Sequence, residues 1–166
     1  MLLLGILTAP GEAMMSGRMT QLHGTAGAGL ARFATPAVRW LALLALCAAY
    51  LQGGLTKALD FSAATAEMNH FGVAPAAPMA ALVIALELGA SVMILTGFWR
   101  WLGALALAAF TLMASFLANA FWNVPMPDRI MVENGFFEHI GLVGGFVLVA
   151  WHDLRRIGRM GLGQGD

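Results

Sequence analysis

Five polar side chains interrupt the apolar segments of this 166-residue chain, and they are its best candidates for chemistry: Lys57, Glu87, Asn119, Glu138 and His139. A charged side chain at the centre of a bilayer costs about 2.5–3.5 kcal/mol on insertion scales, so ionisable groups inside apolar segments usually serve a function. Carboxylates and imidazoles can accept and release protons there. The sequence predicts that Glu87, Lys57 and Glu138 handle protons or form an ion pair.

Helical spacing indicates which of these groups meet inside a bundle. Lys57 shares one helical face with Tyr50 and the glycines at 53 and 54, so it lies on a seam of small residues that another helix can approach. An unpaired charge that faces lipid is costly, and we therefore expect Lys57 to lie near Glu87 or Glu138. The same polar residues could instead fix helix register, as polar side chains do in other membrane bundles.

The sequence disfavours metal and thiol chemistry. Cys47 is the one cysteine of the chain, and its neighbours, LALLALCAAY, place it inside an apolar helix as a small hydrophobe. A single thiol excludes an intrachain disulfide and any multi-cysteine iron–sulfur or zinc site. His139 and His152 are thirteen residues apart, about 20 Å along one helix, so they cannot hold the same haem iron. No metal site is expected.

The apolar segments that position these residues are long enough to cross a membrane. The chain is 60% hydrophobic and 11% charged, whereas a soluble domain has about 45–50% apolar and about 25% charged residues. A hydrocarbon core of roughly 30 Å needs about 20 apolar residues in a helix. We predict an all-α integral membrane protein, a four transmembrane helix bundle with spans at about 38–58, 78–99, 100–123 and 135–152. A formal net charge of zero offers no basic surface for nucleic acid.

The arginines predict the orientation of this bundle. With four spans, seven arginines fall on one side of the membrane, while Arg129 falls on the other with Lys57 at the end of the first span. Because basic residues favour the cytoplasmic side, both termini are expected in the cytoplasm, an N-in/C-in topology. The predicted organisation is a flexible or interfacial tail at 1–35, a membrane domain at 36–152 and a basic cytoplasmic tail at 153–166.

The first outer loop, residues 60–77, is predicted to contain a short interfacial helix. Ser62 is a suitable N-cap, and Phe61, Ala64, Met68 and Phe71 recur on one face. Two prolines end the pattern before the second span. Such an amphipathic helix would lie at the surface of the outer leaflet, with a plain loop as the alternative.

Several segments together resemble the DoxX family of small four-helix bacterial membrane proteins. The resemblance is carried in order by GGLTKALDF, FGVAPAAP, ALELGASVMILTGFWRW, ANAFWN and NGFFEHIGLVGG, and it covers roughly residues 36–152. Lys57 and Glu87 match the family pattern best. The chain departs from it at Asn119, where members often have His, and at Glu138 and His139, where many have Lys and Asn.

The resemblance implies a redox-associated role at the bacterial inner membrane, since the founding member of the family is described as a subunit of a thiosulfate:quinone oxidoreductase. On this hypothesis a quinone or quinol pocket lies between the helices near the outer leaflet, and Tyr50, Asn119 and His139 hydrogen-bond the ring oxygens. No intrinsic cofactor is expected, so electrons would pass to other membrane or redox subunits. A homo-oligomer is also compatible with the sequence.

A second function class stays open beside the redox hypothesis. The chain could be a non-catalytic assembly or stabilising subunit of a larger membrane complex, with the glycine-rich faces as contact surfaces. A transporter ranks below both, because no pair of broken helices is present to build a gated site. The sequence leaves open whether the chain is catalytic.

Overall fold

The computed structural model of the protein describes residues 34–162, which form helices and connecting turns and contain no strand. The elements, in chain order, are α1 (Pro36–Leu59), α2 (Phe61–His70), α3 (Ala76–Thr96), α4 (Arg100–Ala118), a 3-10 turn (Phe121–Asn123) and α5 (Arg129–Leu162). Four of them, α1, α3, α4 and α5, are long and apolar enough to cross a membrane. The predicted all-α, four-span architecture is confirmed. The N-in/C-in topology stays a prediction, and the tail at 1–35 lies almost wholly outside the described residues.

The last helix is longer at both ends than the apolar segment that marks it in the sequence. α5 starts at Arg129, directly after Pro127 and Asp128, and runs to Leu162, whereas the predicted span covers 135–152. Hydropathy detects only the apolar stretch, but residues 129–134 and 153–159 contain good helix formers that continue the same hydrogen-bond ladder. Arg129 and Glu133 form an ion pair one turn apart, 4.0 Å, in the added N-terminal part. The 34 residues correspond to about 51 Å, well beyond a hydrocarbon core of roughly 30 Å.

Small residues in the interior let the spanning helices approach closely. Gly103 shows this best, because a Cβ added there would lie 2.8 Å from the carbonyl oxygen of Ala90. Cys47 is fully buried, as expected for a thiol that acts as a small hydrophobe. The buried cluster consists of Leu43, Cys47, Tyr50, Ala90, Ile94, Ala104, Leu107, Ala108, Phe146 and Ala150.

Buried hydroxyls in this interior are satisfied within their own helices. Ser91, Thr111 and Ser115 each donate to the carbonyl oxygen four residues earlier, at 2.7, 2.6 and 2.7 Å. In a membrane, where no water is at hand, such bonds remove the cost of an unpaired polar group. No buried side-chain nitrogen or oxygen within residues 34–162 lacks a hydrogen-bond partner.

Helix α2 is present in the first interhelical segment, but its N-cap is Asp60 rather than the expected Ser62. One carboxylate oxygen of Asp60 accepts the backbone N–H of Ala63 at 3.0 Å and the hydroxyl of Ser62 at 2.7 Å. These two bonds hold the pKa of Asp60 below its usual value, and the bond from Ala63 has the larger effect. A carboxylate is the better cap because its charge also interacts favourably with the positive end of the helix dipole.

The buried face of α2 contacts the first turns of α3. Ala64 and Met68 are buried together with Ala80, so two of the four residues expected on one apolar face do form it, while Phe61 is exposed. Glu87 lies seven residues after Ala80 on α3, about 10 Å farther along the helix. The position of α2 at a membrane surface stays a prediction.

Candidate functional site

The structure pairs Lys57 with Glu87 between two spanning helices. The Lys57 Nζ lies 3.3 Å from Glu87 Oε1 and 3.4 Å from Oε2, so it donates to both oxygens of the carboxylate. The Glu87 side chain is 7% exposed and that of Lys57 is 18% exposed. Of the two partners that the sequence allowed for the lysine, the structure selects Glu87.

The local sequence explains why this pair can form. Lys57 stands in the last turn of α1, and Gly53 and Gly54 lie one turn before it. A Cβ added at Gly54 would come within 2.9 Å of the Leu88 side chain, and one added at Gly53 would lie 3.5 Å from Lys57 Nζ. The two glycines therefore let α1 approach α3 at the level where the charges meet.

Glu87 lies deep within the membrane layer that the helices define. It is eleven residues from the start of α3 and nine from its end, so it is about 16 Å from the first turn and about 14 Å from the last. A carboxylate at this depth needs a partner, since an isolated charge in an apolar layer is strongly disfavoured. The ammonium of Lys57 is that partner.

The Tyr50 side chain is buried in the interior of the bundle. Its hydroxyl lies 2.5 Å from the Thr111 hydroxyl, and its ring meets Phe146 edge to face at a centroid distance of 5.3 Å. Thr111 has one hydroxyl hydrogen, which goes to the carbonyl of Leu107, so Tyr50 donates to Thr111. The tyrosine thus connects α1 with α4 and α5 in the buried core.

Asn119, which directly follows α4, and His139, which lies ten residues into α5, come together. The Asn119 amide nitrogen lies 3.4 Å from His139 Nδ1, and the same ring nitrogen lies 2.6 Å from the carbonyl oxygen of Gly135. Because a carbonyl oxygen only accepts, Nδ1 carries the hydrogen, and in the neutral ring Nε2 is the acceptor. The glycine matters for the approach, since a Cβ there would lie 3.5 Å from Asn119 Oδ1.

An aromatic cluster surrounds this contact, and the sequence reasoning did not foresee it. Neighbouring ring centroids lie 5.1 to 6.2 Å apart, mostly edge to face. Aromatic pairs at these separations add stability beyond their buried area. The signals were the adjacent aromatic residues in the segments AFWN and GFFE, on either side of a proline-rich loop. The members of the aromatic cluster are Phe116, Phe121, Trp122, Phe136 and Phe137.

The predicted site residues therefore form two groups and do not gather in one. Tyr50 contacts Thr111, which is eight residues or about 12 Å along α4 from Asn119. Glu138 is exposed, and its side chain takes part in none of the ion pairs or side-chain hydrogen bonds of the described residues. It lies within α5 next to His139 in the chain but does not join the pair of Lys57 and Glu87.

A second charged contact lies at the other end of α4 and was missed in the sequence. Asp153 lies 3.8 Å from the Arg100 guanidinium and accepts the backbone N–H of Trp101 at 3.2 Å. Arg100 also donates from Nε to the carbonyl of Ile94 at 2.8 Å. The turn before it is tight, since Trp99 has a φ of 46°. Asp153 thereby fixes α5 to the α3–α4 turn.

The residues that are described hold no group of three His, Cys, Asp or Glu side chains arranged for a metal ion. In this described part of the chain, the spanning helices instead contain three ion pairs: Lys57 with Glu87, Arg100 with Asp153, and Arg129 with Glu133. The arrangement can exchange protons at the first pair and at the His139 ring, and it can present hydrogen bonds beside the aromatic cluster.

Comparison with known proteins agrees with the architecture. The family model described as DoxX matches residues 39–120, which hold most of α1 and all of α2, α3 and α4. The match includes Tyr50, Lys57, Glu87 and Asn119, and it ends before Glu138 and His139. Neither the curated proteins nor the solved structures gave a match. With four helices long enough to span a bilayer, this chain is a membrane protein that is similar to the DoxX family over residues 39–120.

Proposed function

We propose that this protein is a redox-associated subunit of a complex in the bacterial inner membrane and that it binds a quinone or quinol between its helices. The observation that carries the proposal is the Lys57–Glu87 pair, buried among spanning helices. A proton donor and a proton acceptor 3.3 Å apart inside a membrane are expensive to maintain, and such groups commonly serve proton transfer. Quinol oxidation releases two protons and two electrons, so it requires proton-accepting groups within the membrane.

The Asn119–His139 contact is the best place for the ring of such a ligand. His139 Nδ1 is bonded to a carbonyl, which orients the ring and makes Nε2 the nitrogen that accepts a quinol hydroxyl hydrogen. The Asn119 amide supplies a donor for a quinone carbonyl. The aromatic cluster beside them offers flat apolar surfaces of the kind that stack on a planar ring.

The electrons in this proposal pass to a partner subunit that carries a flavin, haem or iron–sulfur group. The role of this chain is to bind, orient and deprotonate the ligand, with His139 as the proton-accepting group beside it and Glu87 as a proton-accepting group at a separate place in the bundle. Tyr50 has a structural role instead, because its hydroxyl is bonded to Thr111 within the core. Glu138 is left without an assigned task, since it is exposed.

A thermal-stability titration of the purified full chain with decylubiquinone tests the proposed site. The quinone is expected to raise the melting temperature of the wild-type protein in a concentration-dependent way. The double variant N119L/H139L should lose this response. H152A is the matched control, because His152 lies on the same helix, is exposed and has its ring against that of Trp151, and it should respond like wild type. No shift for the wild-type protein, or an equal shift in all three, contradicts the site.

The assembly or stabilising role is supported by a different observation. Every buried polar side-chain atom of residues 34–162 is already satisfied inside the chain, which is the property of polar groups that fix helix register. Glu87→Gln separates the two functions, because it removes the charge and keeps the shape. In the intact complex it should abolish quinol-linked turnover under the redox proposal, whereas under the assembly role it should lower the amount of complex and leave turnover per complex unchanged.

A further inference from the structure

The C-terminal part of α5 projects beyond the membrane-spanning layer. Asn119 with His139 and Trp101 with Asp153 are contacts between α4 and α5, so the two helices are antiparallel and Asp153 is level with the α3–α4 turn. Residues 129–153 alone extend about 36 Å, more than the roughly 30 Å of a hydrocarbon core. The helix continues for nine residues to Leu162, about 13 Å past that turn.

This extension carries a basic stripe, defined here as His152, Arg155, Arg156 and Arg159. The four residues are spaced i, i+3, i+4 and i+7, so they share one helical face, and all four are exposed. The guanidinium of Arg155 lies 4.6 Å from the centroid of the Trp151 ring. Tryptophan is the residue type that prefers the headgroup level of a bilayer, so the stripe starts where lipid phosphates are found.

The positive charge of the stripe is not compensated locally. The nearest acid, Asp153, is engaged by Arg100 and by a backbone N–H at the α3–α4 turn. Residues 154–159 contain no Asp or Glu. Guanidinium groups bind phosphate through two parallel hydrogen bonds, and basic residues next to a spanning helix are attracted to anionic lipid.

We propose that the basic stripe binds the headgroups of anionic phospholipids at this end of the bundle. The apolar side chains of Leu154 and Ile157, 44% and 48% exposed, lie on the remaining surface of the extension and can contact the upper acyl chains. The site is independent of the quinone proposal, because it lies past the opposite end of α4 from Asn119 and uses none of the same residues.

Native mass spectrometry of the full chain in a mild detergent tests this site. Phosphatidylglycerol and phosphatidylcholine with identical acyl chains are titrated against wild type, R155Q/R156Q/R159Q and the charge-preserving control R155K/R156K/R159K. Each arginine is worth about a fivefold factor in binding at an anionic surface, so the Gln variant should bind phosphatidylglycerol at least about tenfold more weakly. The Lys variant should retain most of the binding, and phosphatidylcholine should bind all three proteins equally weakly.

Two further arms keep the test decisive. Raising the salt concentration should weaken phosphatidylglycerol binding to the wild-type protein while leaving phosphatidylcholine unchanged, a result that needs no variant to fold. Inorganic phosphate added in the same concentration range should not displace the lipid, since it lacks acyl chains. Equal binding of both lipids, a Gln variant that binds like wild type, or displacement by phosphate alone would overturn the proposal.

Discussion

Neutralising both members of the Lys57–Glu87 pair should cost no more stability than neutralising one of them. At 3.3 Å and an effective dielectric constant of about 20, the attraction between the two charges is about 5 kcal/mol. Desolvation offsets part of it, and removal of one partner from a buried pair typically costs about 3–5 kcal/mol. We expect Lys57→Met and Glu87→Gln each to lower the unfolding free energy by about 2–4 kcal/mol.

The two single variants should differ in a direction that the burial predicts. Lys57→Met leaves the Glu87 carboxylate, 7% exposed, in an apolar interior, whereas Glu87→Gln leaves an ammonium that is 18% exposed in the last turn of α1. A lysine near a helix end can turn its head toward the interface. The loss of unfolding free energy should therefore be larger for Lys57→Met than for Glu87→Gln.

A double-mutant cycle measures the coupling directly. The double variant K57M/E87Q should be no less stable than the worse of the single variants, which gives a coupling of at least about 2 kcal/mol. Reversible unfolding in mixed dodecylmaltoside and dodecyl sulfate micelles, followed by circular dichroism, supplies the four free energies. If the loss of unfolding free energy in the double variant equals the sum of the two single losses within about 0.5 kcal/mol, the charges act independently, and the predicted coupling is refuted.

Three other perturbations have expected outcomes. Gly54→Ala should lower the unfolding free energy by about 1–3 kcal/mol, since its Cβ would lie 2.9 Å from a leucine side chain, whereas Gly89→Ala, which meets nothing within 4 Å, should be neutral or stabilising in the same assay. Asp153→Ala should cost about 2 kcal/mol, because it removes the carboxylate that pairs with Arg100 and leaves the backbone N–H of Trp101 without its acceptor; an unchanged free energy would show that the contact is not formed in the membrane. Since bonds to Ala63 and Ser62 depress the folded-state pKa of Asp60, the stability that this cap gives α2 is complete above the unfolded-state pKa near 3.8 and is lost as the pH falls through the lower folded value. Hydrogen exchange of the α2 amides should accelerate over that acid range in the wild-type protein and show no such step in Asp60→Asn.

The sequence was sufficient for those features that depend on hydropathy and helical period. The four spans, the small-residue seam at 53 and 54, and the approach of Lys57 to a carboxylate all follow from local patterns. Local patterns did not show that Lys57 pairs with Glu87 and not with Glu138, because that depends on which faces of α1, α3 and α5 meet. The Asp153 contact was missed for a related reason: the residue lies past the apolar stretch, in a segment predicted as a tail that is helical to Leu162.

Interactions between distant elements decide the rest of the site. The aromatic cluster forms because the C-terminal end of α4 and the N-terminal part of α5 meet at the 3-10 turn. No periodicity within one segment encodes that arrangement. Tyr50 was expected near a ligand because it shares a face with Lys57, but its hydroxyl is bonded to Thr111, 61 residues away in the chain. A polar group on the right face of a helix can equally serve the core, and only the position of the neighbouring helices distinguishes the two.

The most direct test of the redox proposal is to identify what the protein retains when it is purified from its own membranes in a mild detergent, by native mass spectrometry with solvent extraction of the bound lipids. We expect a retained quinone, present in roughly one copy per chain, and less of it in N119L/H139L. We also expect a co-purifying subunit that carries a flavin, haem or iron–sulfur group. A chain that holds phospholipid and neither quinone nor redox partner would contradict it.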